Sequence, residues 1–182
     1  MMNVFKQCAD IAYSVHGIGI IARRPDTNEH TIQLDKAYLQ LNSWACGAAA
    51  AATIICHYHP EVDADEIYAV INPTQEEGTL DGVMMCTMKD YRIQMVKMHV
   101  GLEKLKAVLK AGRLVLALQN AVDVDGSDCL HYVVVYGEHK GMLYVAGPAG
   151  NWKWNWKMKY GDFTKNGGRA VYAASKTKEH CR

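Results

Sequence analysis

No pair of cysteines in this 182-residue chain is spaced C-x-x-C, and its six cysteines (Cys8, Cys46, Cys56, Cys86, Cys129, Cys181) follow no regular interval. A disulfide-stapled mini-protein is thereby excluded, because such scaffolds are short and cysteine-dense. A reducing compartment, the cytoplasm, is the expected home. Charge of one sign is missing as well: 20 basic side chains meet 19 acidic ones, for a formal net charge of +1. That balance gives no electrostatic reason to expect nucleic acid or an anionic membrane surface as a partner. Long apolar runs do not occur. The stretch IAYSVHGIGIIA is broken by His16 and two glycines, no small-residue cleavage signature follows it, and no segment approaches the ~20 apolar residues of a membrane helix. Neither a signal peptide nor an integral membrane segment is expected. Internal repeats are absent, and the alanines of Ala48–Ala52 are the only low-complexity run.

What remains is ordinary for a globular protein: hydrophobic residues make up 49% of the chain and charged ones 21%, enough for one domain with a real core. Residues 1–38 read as an N-terminal extension of uncertain structure with a polar break at RRPDTNEH, and residues 39–182 as the domain. From Ser43 a helical reading takes over, since alanine has the highest helix propensity and the run continues through Ile54 and Ile55 to a stop at Pro60. A second helix is expected from Asp63, where Asp63 and Glu66 resemble a capping box, to about Ile71. A third begins near Thr79, RIQMVKM alternates like a strand, and GLEKLKAVLKAG places Leu102, Leu105, Val108 and Leu109 on one helical face before Gly112. The segments RLVLALQ, LHYVVVYGE, GMLYVAG and RAVYAAS then read as strands separated by turn formers such as Lys140-Gly141. Helices followed by strands predict an α+β domain with a mostly antiparallel sheet.

One stretch carries chemistry: LQLNSWACGAAAAATIICHYH, Leu39 to His59. Its Cys46 could be a buried small hydrophobe, a metal ligand or a nucleophile. A nucleophilic cysteine works as a thiolate, and the positive end of a helix lowers a thiol pKa. Cys46 falls in or just before the first turn of the alanine helix, and Gly47 with the alanines is expected to leave room for a substrate backbone. A thiolate is usually paired with a histidine. His131, which opens the strand HYVVVYG, is the best candidate. Acyl transfer also needs donors for the oxyanion: the N–H of Cys46 is one, and the side-chain amide of Gln40 is the candidate for the second.

Gln40, five residues and then Cys46-Gly47, the EEGT of Glu76–Thr79, His131-Tyr132-Val133-Val134-Val135 and the YVAGPAG of Tyr144–Gly150 stand in one order and spacing. In this the chain resembles papain-like cysteine peptidases of the bacteriocin-processing type, which remove leader peptides after a double glycine, often as a domain fused to an export transporter. The resemblance covers about residues 39 to 174. It implies the papain-like fold, with Cys46 as nucleophile, His131 as general base and Gln40 as oxyanion residue. It also implies a peptide or protein substrate, no cofactor, and a transporter or target protein, if any, on a separate chain. The family normally has an aspartate sixteen residues after the histidine and immediately before a proline; here Gly147 precedes Pro148. Asn151 or a backbone carbonyl is the candidate for orienting the imidazole instead. Two other readings keep the groove and change its use. An amine intercepting the acyl-cysteine would make the chain an acyltransferase or amide-forming enzyme, and an impaired site would leave a peptide-binding pseudo-peptidase.

Two further patterns have bland readings beside sharp ones. In CHYH, Cys56 and His59 are one helical turn apart and no second Cys or His cluster answers them at zinc spacing, so no metal site is expected. In NWKWNWK, Trp152, Trp154 and Trp156 would line one face of a strand, as core or edge packing or as a stacking platform for a substrate.

Overall fold

The computed structural model describes residues 19–20, 28–122, 128–147, 155–165 and 170–177. Eight strands and five helices are built from them. In chain order they are β1 (Gly19–Ile20), β2 (Ala37–Tyr38), α1 (Cys46–Tyr58), α2 (Ala64–Ile71), α3 (Asp81–Asp90), β3 (Ile93–Lys97), α4 (Leu102–Lys110), β4 (Val115–Val122), β5 (Asp128–His139), β6 (Met142–Ala146), β7 (Asn155–Lys159), α5 (Tyr160–Lys165) and β8 (Ala170–Lys176). Six strands form one sheet in the order β3-β8-β4-β5-β6-β7, antiparallel at every junction. This is the expected α+β arrangement: four helices precede β4, with edge strand β3 interposed among them, and the short α5 falls between β7 and β8.

Helix α1 organises the rest. Gly47 through Cys56 are all buried, so the helix has no solvated face, and a helix apolar on all sides belongs in the interior. It lies against β5 of the sheet, against α2 and α3, and against β2. The alanines make this possible, because side chains of one carbon let four elements approach a single helix axis. Ile54 and Ile55, both fully buried, add about 1.5–3 kcal/mol each relative to exposure. Tyr58 closes the far end: its hydroxyl accepts from the N–H of Leu114 and faces the carbonyls of Gly112 and Ala174, at 3.2, 3.2 and 2.9 Å.

The helix start at Cys46 follows from an unusual cap. Ala45 occupies the N-cap position and has no side chain to offer. The missing acceptor comes from the loop ahead of α3: Thr79 Oγ1 accepts from the N–H of Ala48 and donates to the carbonyl of Trp44, both at 3.3 Å. Gly47 is the residue that permits this contact, since a Cβ there would lie 2.6 Å from Thr79 Cγ2. The loop is folded back by paired hydrogen bonds between Thr74 and Gly78, with Gly78 at a φ of +67°.

Other junctions obey local rules. Asp63 caps α2 by accepting from the Asp65 N–H, and Asn72 ends it in the left-handed conformation just before Pro73. Lys140 and Gly141, at φ of 52° and 77°, make the two-residue turn between β5 and β6, where a hairpin needs positive φ at both positions. Residues 28–32 lie along β5: Thr31 bridges to Gly137 and the N–H of Ile32 donates to the Tyr136 carbonyl; Ile32, Leu34 and Ala37 enter the core, and β2 pairs with β1 apart from the large sheet. No helix among the described residues is long and apolar enough to cross a membrane.

Two measurements test this packing. Thr79→Val, which keeps the shape and removes the hydroxyl, is expected to cost about 1 kcal/mol as a lost cap, and Gly47→Ala about 1–3 kcal/mol by overpacking. Both are read as a lower urea midpoint, and midpoints equal to wild type would show that the cap carries no weight. Burial pushes the hydroxyl of Tyr136 up to about 12 and raises those of Tyr58, Tyr68 and Tyr132 as well. The folded chain therefore holds these protons when the unfolded chain has begun to release them, near pH ~10. Stability is full below that pH and falls as pH rises past it, which denaturation midpoints at pH 7, 9 and 10.5 would register.

Candidate active site

Cys46 is the first residue of α1 and is half-buried. Its sulfur lies near three backbone amides, that of Tyr132 in β5 and those of Gly47 and of Cys46 itself at the helix start. The structure thus sets the thiol beside the residue that follows His131. Burial pushes the Cys46 thiol up from its ordinary value; the amides of Tyr132 and Gly47 pull it down, and nearby Cys129 adds to the rise. On the free chain the rise prevails, although a helix start alone would lower it.

The small residues behind the sulfur do not serve as first expected. Gly47 is filled by Thr79 and Ala48 to Ala52 are enclosed in the core, so they make room for neighbouring elements and not for a substrate. At this end of the helix only Cys46 is partly accessible.

His131 lies in the first half of β5, opposite Gln119 of β4. Its Nε2 is buried. The next residue, Tyr132, donates its hydroxyl to the Asp81 carboxylate at the start of α3, which ties this part of β5 to the helical layer. Burial and that carboxylate raise the Tyr132 hydroxyl, so it remains a donor throughout the neutral range. Cys129 shares the His131 face of the strand, two residues away.

Gln40 stands in the loop between β2 and α1. Two tyrosines and a threonine fix this loop: the Tyr68 hydroxyl of α2 donates to the carbonyl of Leu39, and the N–H of Tyr38 donates to Thr53 Oγ1 of α1 at 3.0 Å. The side-chain oxygen of Gln40 is buried without a hydrogen-bond partner among the described residues. An amide end left so is uncommon in a native interior, where such groups are nearly always paired.

Gly147 is buried at the end of β6. Val134 pairs with Ala146, so side chains at 146 and 134 share one face, and position 147 falls on the opposite face with His131. A carboxylate at 147 would stand on the imidazole's side of the sheet; glycine offers none. Asn151, Trp152 and Trp154 lie outside the described residues. Trp156 is in β7, an edge strand, paired with Val145.

The CHYH residues have separate surroundings. Cys56 is buried with its sulfur 3.5 Å from the Val62 carbonyl, the His57 ring stands edge-on to Tyr58, and His59 Nδ1 is 3.1 Å from Glu61. No group of three or more His, Cys, Asp or Glu among the described residues is arranged to hold a metal.

Sequence reasoning missed Thr79 and Tyr68, the residues that fix the helix start and the Gln40 loop. Thr79 had a signal, a threonine after a glycine in EEGT, but no local pattern reveals a cap donated from 31 residues away.

Three solved structures share this fold. A double glycine motif protease from an AMS/PCAT transporter, in complex with the leader peptide, is 16% identical, with 90% of this chain and 100% of that one covered at a TM-score of 0.61. A C39-like peptidase from Bacillus anthracis is 16% identical over 82% of this chain and 98% of its own, at 0.62. The peptidase domain of Streptococcus ComA, a bi-functional ABC transporter involved in quorum sensing, is 14% identical over 77% and 97%, at 0.58. No curated protein matches the sequence. The model of the Peptidase C39 family spans residues 35–176, from just before β2 to the last strand of the sheet, and the chain belongs to that family.

Proposed function

We propose that this chain is a thiol hydrolase that cuts a peptide or protein through a Cys46–His131 acyl-enzyme mechanism. The observation that carries the reading is the thiol at the first position of a buried helix, against the backbone of the residue that follows His131. Family membership supports a cysteine peptidase, and the leader peptide held by one structural neighbour supports a peptide substrate.

The steps follow from the groups present. With the thiol pushed up by burial, Cys46 rests protonated and His131 acts as general base, taking the proton as sulfur attacks the substrate carbonyl. The oxyanion is received by the N–H of Cys46 and by Gln40, whose buried, unpartnered amide end serves as a donor once the amide is turned. The two ends are interchangeable in assignment. His131 then gives the proton to the leaving amine, the carbon–nitrogen bond breaks, and a thioester remains on Cys46. Water, relieved of a proton by His131, attacks the thioester, releasing the acid and restoring the thiol.

The two competing uses of the groove differ at the last step. An amine in place of water forms an amide, and a groove without turnover retains peptide uncut.

Mass spectrometry of candidate peptides incubated with wild type, Cys46→Ala and Gln40→Ala tests the proposal. Products from wild type only are expected, with turnover of Gln40→Ala reduced ~10²–10³-fold by loss of an oxyanion donor. Products that persist in Cys46→Ala would remove the thiol from the mechanism, ligated products on addition of an amine would assign a transferase, and peptide retained uncut by wild type would assign a binding module. The pH dependence separates the protonation states. Iodoacetamide labelling of Cys46 without substrate is expected to rise with a midpoint above the free-thiol value of ~8.5, while kcat/KM reaches its plateau at lower pH than the labelling does. Labelling already complete at pH 6 would mean a preformed ion pair and would overturn the general-base step.

A further inference from the structure

Four polar or charged side chains are buried in the core among the described residues: Thr53, Thr87, Gln119 and Glu138. Three are accounted for within their own elements or turns. Thr53 and Thr87 donate to the carbonyls one helical turn back, those of Ala49 and Val83, and Glu138 accepts from the N–H of Gly141 across the hairpin. Gln119 differs. It stands in β4 with 3% of its surface exposed, and its amide nitrogen donates 3.4 Å to the carbonyl of Phe163 in α5, 44 residues away. Burying an amide in a strand of Leu and Val disfavours folding unless its hydrogen bonds are made, so this side chain needs a reason.

The register supplies one. Gln119 is directly opposite His131. Opposed residues on an antiparallel pair share one face, with Cβ atoms about 4.5–5.5 Å apart, so the two side chains are next neighbours on that face. The bond to Phe163, itself fully buried, uses the nitrogen end of the amide and fixes its plane. The carbonyl end is then an acceptor of set direction on the imidazole's face. On the other flank of β5 stands Gly147, which brings no side chain to that face.

We propose that Gln119 is a positioning residue for His131, holding its ring by accepting from an imidazole N–H and thereby filling the part that the family resemblance gives to an aspartate at position 147. The inference rests on the peptidase reading, in which His131 moves the proton. Gln119 touches neither substrate nor sulfur; it acts through the ring. A neutral amide fixes the tautomer without the charge of a carboxylate, so His131 keeps a pKa lower than a paired carboxylate would give.

The test reads the imidazole directly. In the Cys46→Ala background, the His131 ring is titrated by NMR, its signals assigned by their loss in His131→Gln. Gln119→Glu is expected to raise the His131 midpoint by about one unit or more, as an opposite charge nearby does, and Gln119→Met to change the ring nitrogen shifts that report the tautomer, while His57 and His99 titrate as before. With the thiol present, Gln119→Met is expected to lower kcat about tenfold at unchanged KM, and Gln119→Asn to recover part of it. His131 midpoints and nitrogen shifts equal to wild type in variants with a wild-type near-ultraviolet spectrum would overturn the proposal. If one variant does not fold, the other two give the same reading. Wild type that cuts no peptide would defeat the peptidase reading alone, because the titration requires no turnover.

Discussion

Burial of α1 on every side is the constraint from which the rest follows. A helix enclosed by a sheet, two helices and a strand must be narrow, hence alanine, and its first turn must find a hydrogen-bond acceptor without a bulky or polar residue of its own. Thr79 meets that need from a different part of the chain, and does so only because Gly47 has no side chain. The position of the Cys46 sulfur is therefore a property of two segments in contact, the helix start and the loop before α3. Neither segment would hold it alone.

The same logic supports the other groups. Tyr132 anchors the His131 part of β5 to α3 through Asp81, and Tyr68 anchors the Gln40 loop to α2. Each candidate residue thus sits next to a peg, a tyrosine or threonine that bonds across elements and does the holding. Separation of holding from acting suits a proton-transfer site, since a residue that must change its protonation state is a poor structural tie.

Much of this was legible in the sequence because local physics decides it. Alanine propensity and Pro60 bound α1, Lys140-Gly141 gave the β5–β6 turn, and β-branched runs marked β5 and β6. The expected third helix begins two residues past Thr79 at Asp81, because Thr79 is engaged with α1. Cys46 could be singled out since a helix start and a small neighbour are both local features. What the sequence concealed is long-range. The small residues looked like space for a substrate, and only the fold shows the space filled. Gln119 looked like the end of an apolar strand, and its meaning depends on a register with a strand twelve residues further on. The stretch around Ile32 and Leu34 has too short an apolar alternation to reveal that residues 28–32 lie on β5.

The enclosed alanine helix also governs how this chain can vary. Where every direction from an axis is occupied, side-chain volume has no outlet, so the stretch from Gly47 to Ala52 admits almost no enlargement. Relatives that diverge are then expected to place their differences in the outer layers, around an inner column held at nearly fixed size. Diversity of substrate preference must be written in loops and sheet rims, far from the segment that presents the sulfur.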